Sequence, residues 1–88
     1  MLDINAKKKK ILKLLAKHTK ELRGETSQFM LCSENDISCS IISTIERAMK
    51  DPQLTTVFKL AEAFDMKASD FIKLIENDLP KDFSLIEK

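Results

Sequence analysis

Apolar residues recur along this chain at helical spacing, and no run alternates long enough to read as a strand. Ile11, Leu15, His18 and Leu22 follow one another at i, i+4, i+7 and i+11, with Leu12 and Leu14 widening the stripe. This predicts a first helix over 5–23, capped by Asp3 or Asn5 and closed by Gly24, the only glycine, where a positive φ carries no Cβ penalty. A short second helix is expected over 28–34 with Ser27 as its N-cap, and Asn35-Asp36 form the turn after it. A third helix spans about 39–47, capped by Ser38, with Ile42 and Ile45 apolar and Ile41 beside them. Asp51-Pro52 breaks the chain. A fourth helix over about 54–65 turns Leu54, Val57, Phe58, Leu60, Ala61 and Phe64 inward. A fifth, over about 68–77, carries Phe71, Ile72, Leu74 and Ile75 before Pro80 stops it. The expected fold is all-α with five helices: one domain over 1–78, then a tail over 79–88 that still holds Phe83, Leu85 and Ile86.

Composition agrees, with one glycine and two prolines in 88 residues. The net charge of +1 conceals an asymmetry: residues 1–50 hold ten Lys and Arg against six Asp and Glu, and residues 51–88 hold five against eight. A basic first half suits an anionic partner, nucleic acid being the usual one. Cys32 and Cys39 lie seven apart with no CxxC or Cys/His spacing, so they read as reduced thiols in a cytoplasmic protein, with no metal site. No apolar run approaches a membrane span, and the opening residues lack the pattern of a signal peptide. His18, the single histidine, lies on the apolar stripe of the first helix and reads as core or boundary. With no second titratable group at a readable spacing, no catalytic residue and no cofactor is expected.

Two short helices joined by a tight turn are the helix-turn-helix layout. The exposed residues opening the second of them, Cys39, Ser40, Ser43 and Thr44, are all small, so that face is able to approach base edges closely. The alternative at this level is an ordinary helical hairpin with a polar outside.

The residues themselves add to the layout. Ser27-Gln28 with Leu31-Cys32, then Asp36-Ile37-Ser38, then Ile42-Ser43-Thr44-Ile45-Glu46-Arg47, then Pro52, resemble the phage-repressor (Xre/Cro) family in order and spacing, as does the fourth-helix segment Leu54–Phe64. The resemblance covers roughly residues 11–77 and implies a lambda-repressor-like domain that binds double-stranded DNA. It implies base contacts from Gln28, Cys39, Ser40, Ser43 and Thr44, and phosphate contacts near Ser27, Ser38, Arg47 and Lys50. Glu46 is implied to be structural, paired with an Arg of the first helix, for which Arg23 is the candidate. Lys7–Lys10 are either a basic arm on DNA or a solvated first turn. The chain departs from the family pattern in three places. Asp36 stands for the turn glycine. Cys32 stands for a small Ala. Ala48 stands for the closing Gly, so the third helix either runs on or ends on a strained residue. The link from Arg23 to Ser27 is also shorter than is common, which bears on the Arg23–Glu46 pair.

The function expected is a dimeric, non-enzymatic transcription regulator reading a palindromic operator in the major groove. Its dimer interface would be Phe71, Ile72, Leu74 and Ile75 of the fifth helix, with the tail. The alternative is an antitoxin-type interaction module whose tail, from Leu79 on, binds a partner protein.

Overall fold

The computed structural model describes residues 4–86. Among them every regular element is a helix: α1 (Ile4–Arg23), α2 (Gln28–Glu34), α3 (Cys39–Glu46), α4 (Leu54–Ala63) and α5 (Ala68–Asn77). The five apolar stripes thus become five helices, with boundaries shifted by one or two residues. Of the two caps proposed for α1, Asp3 lies outside the described residues and Asn5 falls inside the helix.

Helix endings explain the tight connections. At the end of α3, Ala48 N–H donates to the Ile45 carbonyl and Met49 N–H to the Thr44 carbonyl, at 3.0 and 2.9 Å. At the end of α4, Asp65 and Met66 repeat the pattern onto Glu62 and Ala61, each at 2.9 Å. These are Schellman closures, which place the first residue past the cap in the left-handed region. That residue is Ala48 at φ 55°, Asp65 at φ 56° and, after α2, Asp36 at φ 54°. Ala48 therefore does not extend α3; it accepts a conformation that favours glycine because its methyl is buried beside Leu12 and Ala16.

The main core joins Leu15 of α1, Leu31 and Cys32 of α2, Ile42 and Ile45 of α3, Val57, Leu60 and Ala61 of α4, and Phe71 and Ile75 of α5. The Phe64 and Phe71 rings pack tilted, with centroids 6.2 Å apart. Three sequence expectations need correction. The buried face of α1 is Leu12, Leu15, Ala16 and Thr19, while Ile11 and His18 are half-buried and Leu22 is exposed. The helix is rotated because α3 and α5 both pack against it. On α4, Leu54 and Phe58 face solvent, since the neighbours of this helix cover only the Val57–Leu60–Ala61 side. On α5, Phe71 and Ile75 are core residues and Phe71 is wholly buried, so neither is free to form a dimer seam. Leu74 is half-buried and Ile72 is exposed. The chain after α5 turns back, with Phe83 N–H donating to the Pro80 carbonyl at 3.0 Å. Leu79, Phe83, Leu85 and Ile86, with Ile11, Ile72 and Ile75, line a largely apolar recess of about 780 Å³.

Candidate nucleic-acid interface

Four residues, 35–38, join α2 to α3. Ser27 caps α2, its Oγ accepting from Met30 N–H at 3.0 Å. Asn35 Nδ2 donates to the Leu31 carbonyl at 2.8 Å, tying the turn to the helix it leaves. Ile37, buried, anchors the turn to the core. Ser38 stands at the N-cap of α3, but its hydroxyl does not cap the helix. It lies 2.8 Å from the Ser40 hydroxyl, and both serines are exposed.

The surface of α3 follows from Ile42, Ile45 and Glu46 being buried. Cys39, Ser40 and Arg47 are exposed and Ser43 and Thr44 half-buried, so Ser40, Ser43, Thr44 and Arg47 share one side of the helix. The Thr44 hydroxyl donates to the Ile41 carbonyl at 2.8 Å, leaving its lone pairs outward. Arg47 Nε donates to the Ser43 carbonyl at 3.3 Å, and Lys50 is exposed in the following loop. No side chain longer than Thr interrupts the face before Arg47.

A buried polar network holds this face in place. Arg23 Nε and Nη2 donate to Glu46 Oε2 and Oε1 at 2.7 and 2.8 Å, and Gln28 Nε2 donates to Oε1 at 2.9 Å. Arg23 Nη1 also donates to the Thr26 carbonyl at 2.7 Å, so the short α1–α2 link closes the pair and does not prevent it. Burial pushes the Glu46 carboxyl up, but the hydrogen bonds from Arg23 and Gln28, with the charges of Arg23 and Lys20, bring it below the usual carboxylate range. The same hydrogen bond raises the Arg23 guanidinium. Gln28, a base-contact candidate, is thus half-buried and oriented by Glu46.

Two features go beyond the site expected from the sequence. The first extends the Lys7–Lys10 run: Lys9, Lys13, Lys17 and Lys20 of α1 line one recess beside Arg47 and Ala48. Lys9 Nζ donates to the Ala48 carbonyl, Lys8 pairs with Asp51 at 3.6 Å and Lys17 with Asp78 at 3.3 Å. Their spacing was the available signal. The second bears on the reading of reduced thiols: Cys32 and Cys39 meet across the turn, their Cα atoms 5.1 Å apart. That separation lies within the range a disulfide spans. The four-residue turn brings the fifth residue of α2 against the first of α3, which neither stripe reveals. Among the described residues no group of three or more His, Cys, Asp and Glu is placed to hold a metal ion, and no helix is long and apolar enough to cross a membrane.

Comparison of the chain with protein-family models, with curated proteins and with solved structures found no match.

Proposed function

We propose that the protein is a non-enzymatic, sequence-specific DNA-binding regulator of the phage-repressor (Xre/Cro) type, working in the cytoplasm, with α3 in the major groove. The observation that carries this reading is the α3 face itself. Small hydroxyl side chains at Ser40, Ser43 and Thr44 are followed by Arg47 on one side of a short helix, whose other side is pinned by the Arg23–Glu46–Gln28 network. Such hydroxyls are able to exchange hydrogen bonds with any base edge, and Arg47, Lys50 and Ser27 suit phosphate.

Binding is as a dimer on a palindromic operator, with half-sites about 34–36 Å apart. The seam is the exposed flank of α5 at Ile72, continued by the tail at Leu85 and Ile86, all apolar and solvent-facing. Selection of bound duplexes from a random pool tests the reading, because it yields site and spacing together. Titration of the selected site follows. If the dimer neutralises roughly six to ten phosphates, affinity falls about 10³–10⁵-fold between 50 and 200 mM salt. No enriched sequence, or a response flat in salt, rejects the proposal.

A further inference from the structure

Cys32 and Cys39 meet where the two helices of the helix-turn-helix adjoin, their Cα atoms 5.1 Å apart, and their environments differ. Cys32 is 5% exposed, in the core where α2 meets α3. Cys39 opens α3 and is exposed, beside the side that carries Ser40, Ser43, Thr44 and Arg47, with its sulfur turned to Cys32 and not to the candidate base-reading face. The pair lies seven positions apart in sequence and brackets the whole turn. We propose that this pair is a reversible thiol–disulfide clamp on the reading helix, oxidised by a peroxide or a low-molecular-weight disulfide and reopened by a monothiol such as glutathione. The proposal rests on the DNA-binding reading only for its consequence, not for the chemistry.

The chemistry balances with these two residues. The accessible Cys39 thiolate attacks a peroxide oxygen, giving a sulfenic acid and hydroxide. The Cys32 sulfur then attacks the Cys39 sulfur. The S–S bond forms, the sulfenic oxygen leaves as hydroxide, and the Cys32 proton converts it to water. Reduction takes two monothiols through a mixed disulfide, and both protons return to the pair. In the opened state the Cys32 thiol has an acceptor at hand, the Phe29 carbonyl oxygen, 3.1 Å from its sulfur. Disulfides in reducing compartments are transient or redox-sensing, and a bridge that ends on an exposed residue is open to attack by small thiols.

The bridged protein keeps the α2–turn–α3 arrangement with Ser40, Ser43 and Arg47 still on the surface. Oxidation therefore restricts the motion of α3 relative to α2 without hiding the face. It withdraws one group, the Cys39 thiol, from base contact. A reading element held in its binding geometry loses less freedom on docking, so the bridged form is the tighter binder.

The full chain, equilibrated across glutathione/glutathione-disulfide ratios and trapped by alkylation, reports the bridge by mass. A single-chain mass, with no disulfide between chains, that moves reversibly between two and no alkylated thiols is expected. Its melting temperature is expected roughly 10 °C higher when bridged, and its affinity for a selected duplex about threefold or more higher. Cys39→Ser should abolish all three responses; Cys32→Ala should do the same and guards against a folding defect in either variant. Thiols fully alkylated at every ratio, or a bridge that changes neither melting nor DNA affinity, overturns the proposal. If the bridge forms and raises the melting temperature while neither form binds any duplex, the clamp stands and the DNA-binding reading fails.

Discussion

Arg23 holds Glu46 in a two-pronged contact, Nε to Oε2 at 2.7 Å and Nη2 to Oε1 at 2.8 Å, linking the last residue of α1 to the last of α3. The carboxylate side chain is 4% exposed and the guanidinium 19%, so the pair is screened far less than a surface ion pair. Because Gln28 shares Oε1, the start of α2 is fixed by the same carboxylate. Glu46→Ala leaves three donors unanswered, Nε and Nη2 of Arg23 and Nε2 of Gln28. It should cost about 1–3 kcal/mol, less than a fully buried pair because Arg23 can reach water. Chemical denaturation of the variant, beside Glu46→Gln, checks this; a midpoint unchanged in both would mean the network does not hold α3.

Acid should weaken the fold through the same group. Glu46 titrates below its ordinary range, and so does Asp78, which accepts hydrogen bonds from His18 at 2.8 Å and Lys17 at 3.3 Å. In the unfolded chain such carboxyls take up protons near pH 4. As pH falls from there, the unfolded state binds more protons than the folded one, and stability is lost down through the folded values. Above the unfolded values the contribution is complete. Melting temperatures between pH 2 and 6 should show this slope, and Glu46→Gln should flatten it. An equal slope in that variant would assign the acid sensitivity to other groups.

Thr19 is wholly buried on α1, and its hydroxyl has no hydrogen-bond partner. An unanswered buried hydroxyl costs about 1–3 kcal/mol. Thr19→Val keeps the shape and removes the polar atom, so stability should rise by about 1 kcal/mol. Thermal unfolding reads it directly, and a destabilised variant would show that the hydroxyl is satisfied in solution.

On DNA, positioning and reading should separate. Arg47→Ala is expected to weaken specific and scrambled duplexes alike and to lower the salt slope by about one. Ser40→Ala and Thr44→Ala should spare scrambled DNA and relax preference at one or two base pairs. Each effect should be at most about 1–3 kcal/mol and smaller for a lone hydroxyl. Binding-site selection with each variant distinguishes them. Uniform losses with unaltered preference would remove α3 from the reading role.

Self-association should depend on the outside of α5 and not on its inside. Ile72→Asp is expected to shift sedimentation toward monomer with little change in melting. Phe71→Asp should unfold the domain, since removing a buried Phe side chain alone costs about 3–5 kcal/mol. If Ile72→Asp and Ile86→Asp both leave a dimer intact, the seam lies off this surface.

Sequence alone determined the helices. Local spacing of apolar residues and the breaks at Gly24, Asn35-Asp36, Asp51-Pro52 and Pro80 placed all five, because helix formation and termination depend on residues within a turn or two of each other. The candidate face of α3 was legible for the same reason: once Ile42 and Ile45 point inward, Ser40, Ser43 and Arg47 must point elsewhere. Tertiary packing decided what lies between helices. An apolar residue on an amphipathic helix is a candidate for burial, and only its neighbours determine whether it is covered. Leu54 and Phe58 therefore ended outside, while Phe71 and Ile75 ended in the core. Thr19 was buried by the rotation of α1 against α3 and α5. Arg23 and Gln28 met on the Glu46 carboxylate, and Cys32 reached Cys39, because four helix ends closed on left-handed residues, Gly24, Asp36, Ala48 and Asp65, and turned the chain sharply. Those meetings are set by crossing geometry and packing across the core, which no local window of the sequence contains.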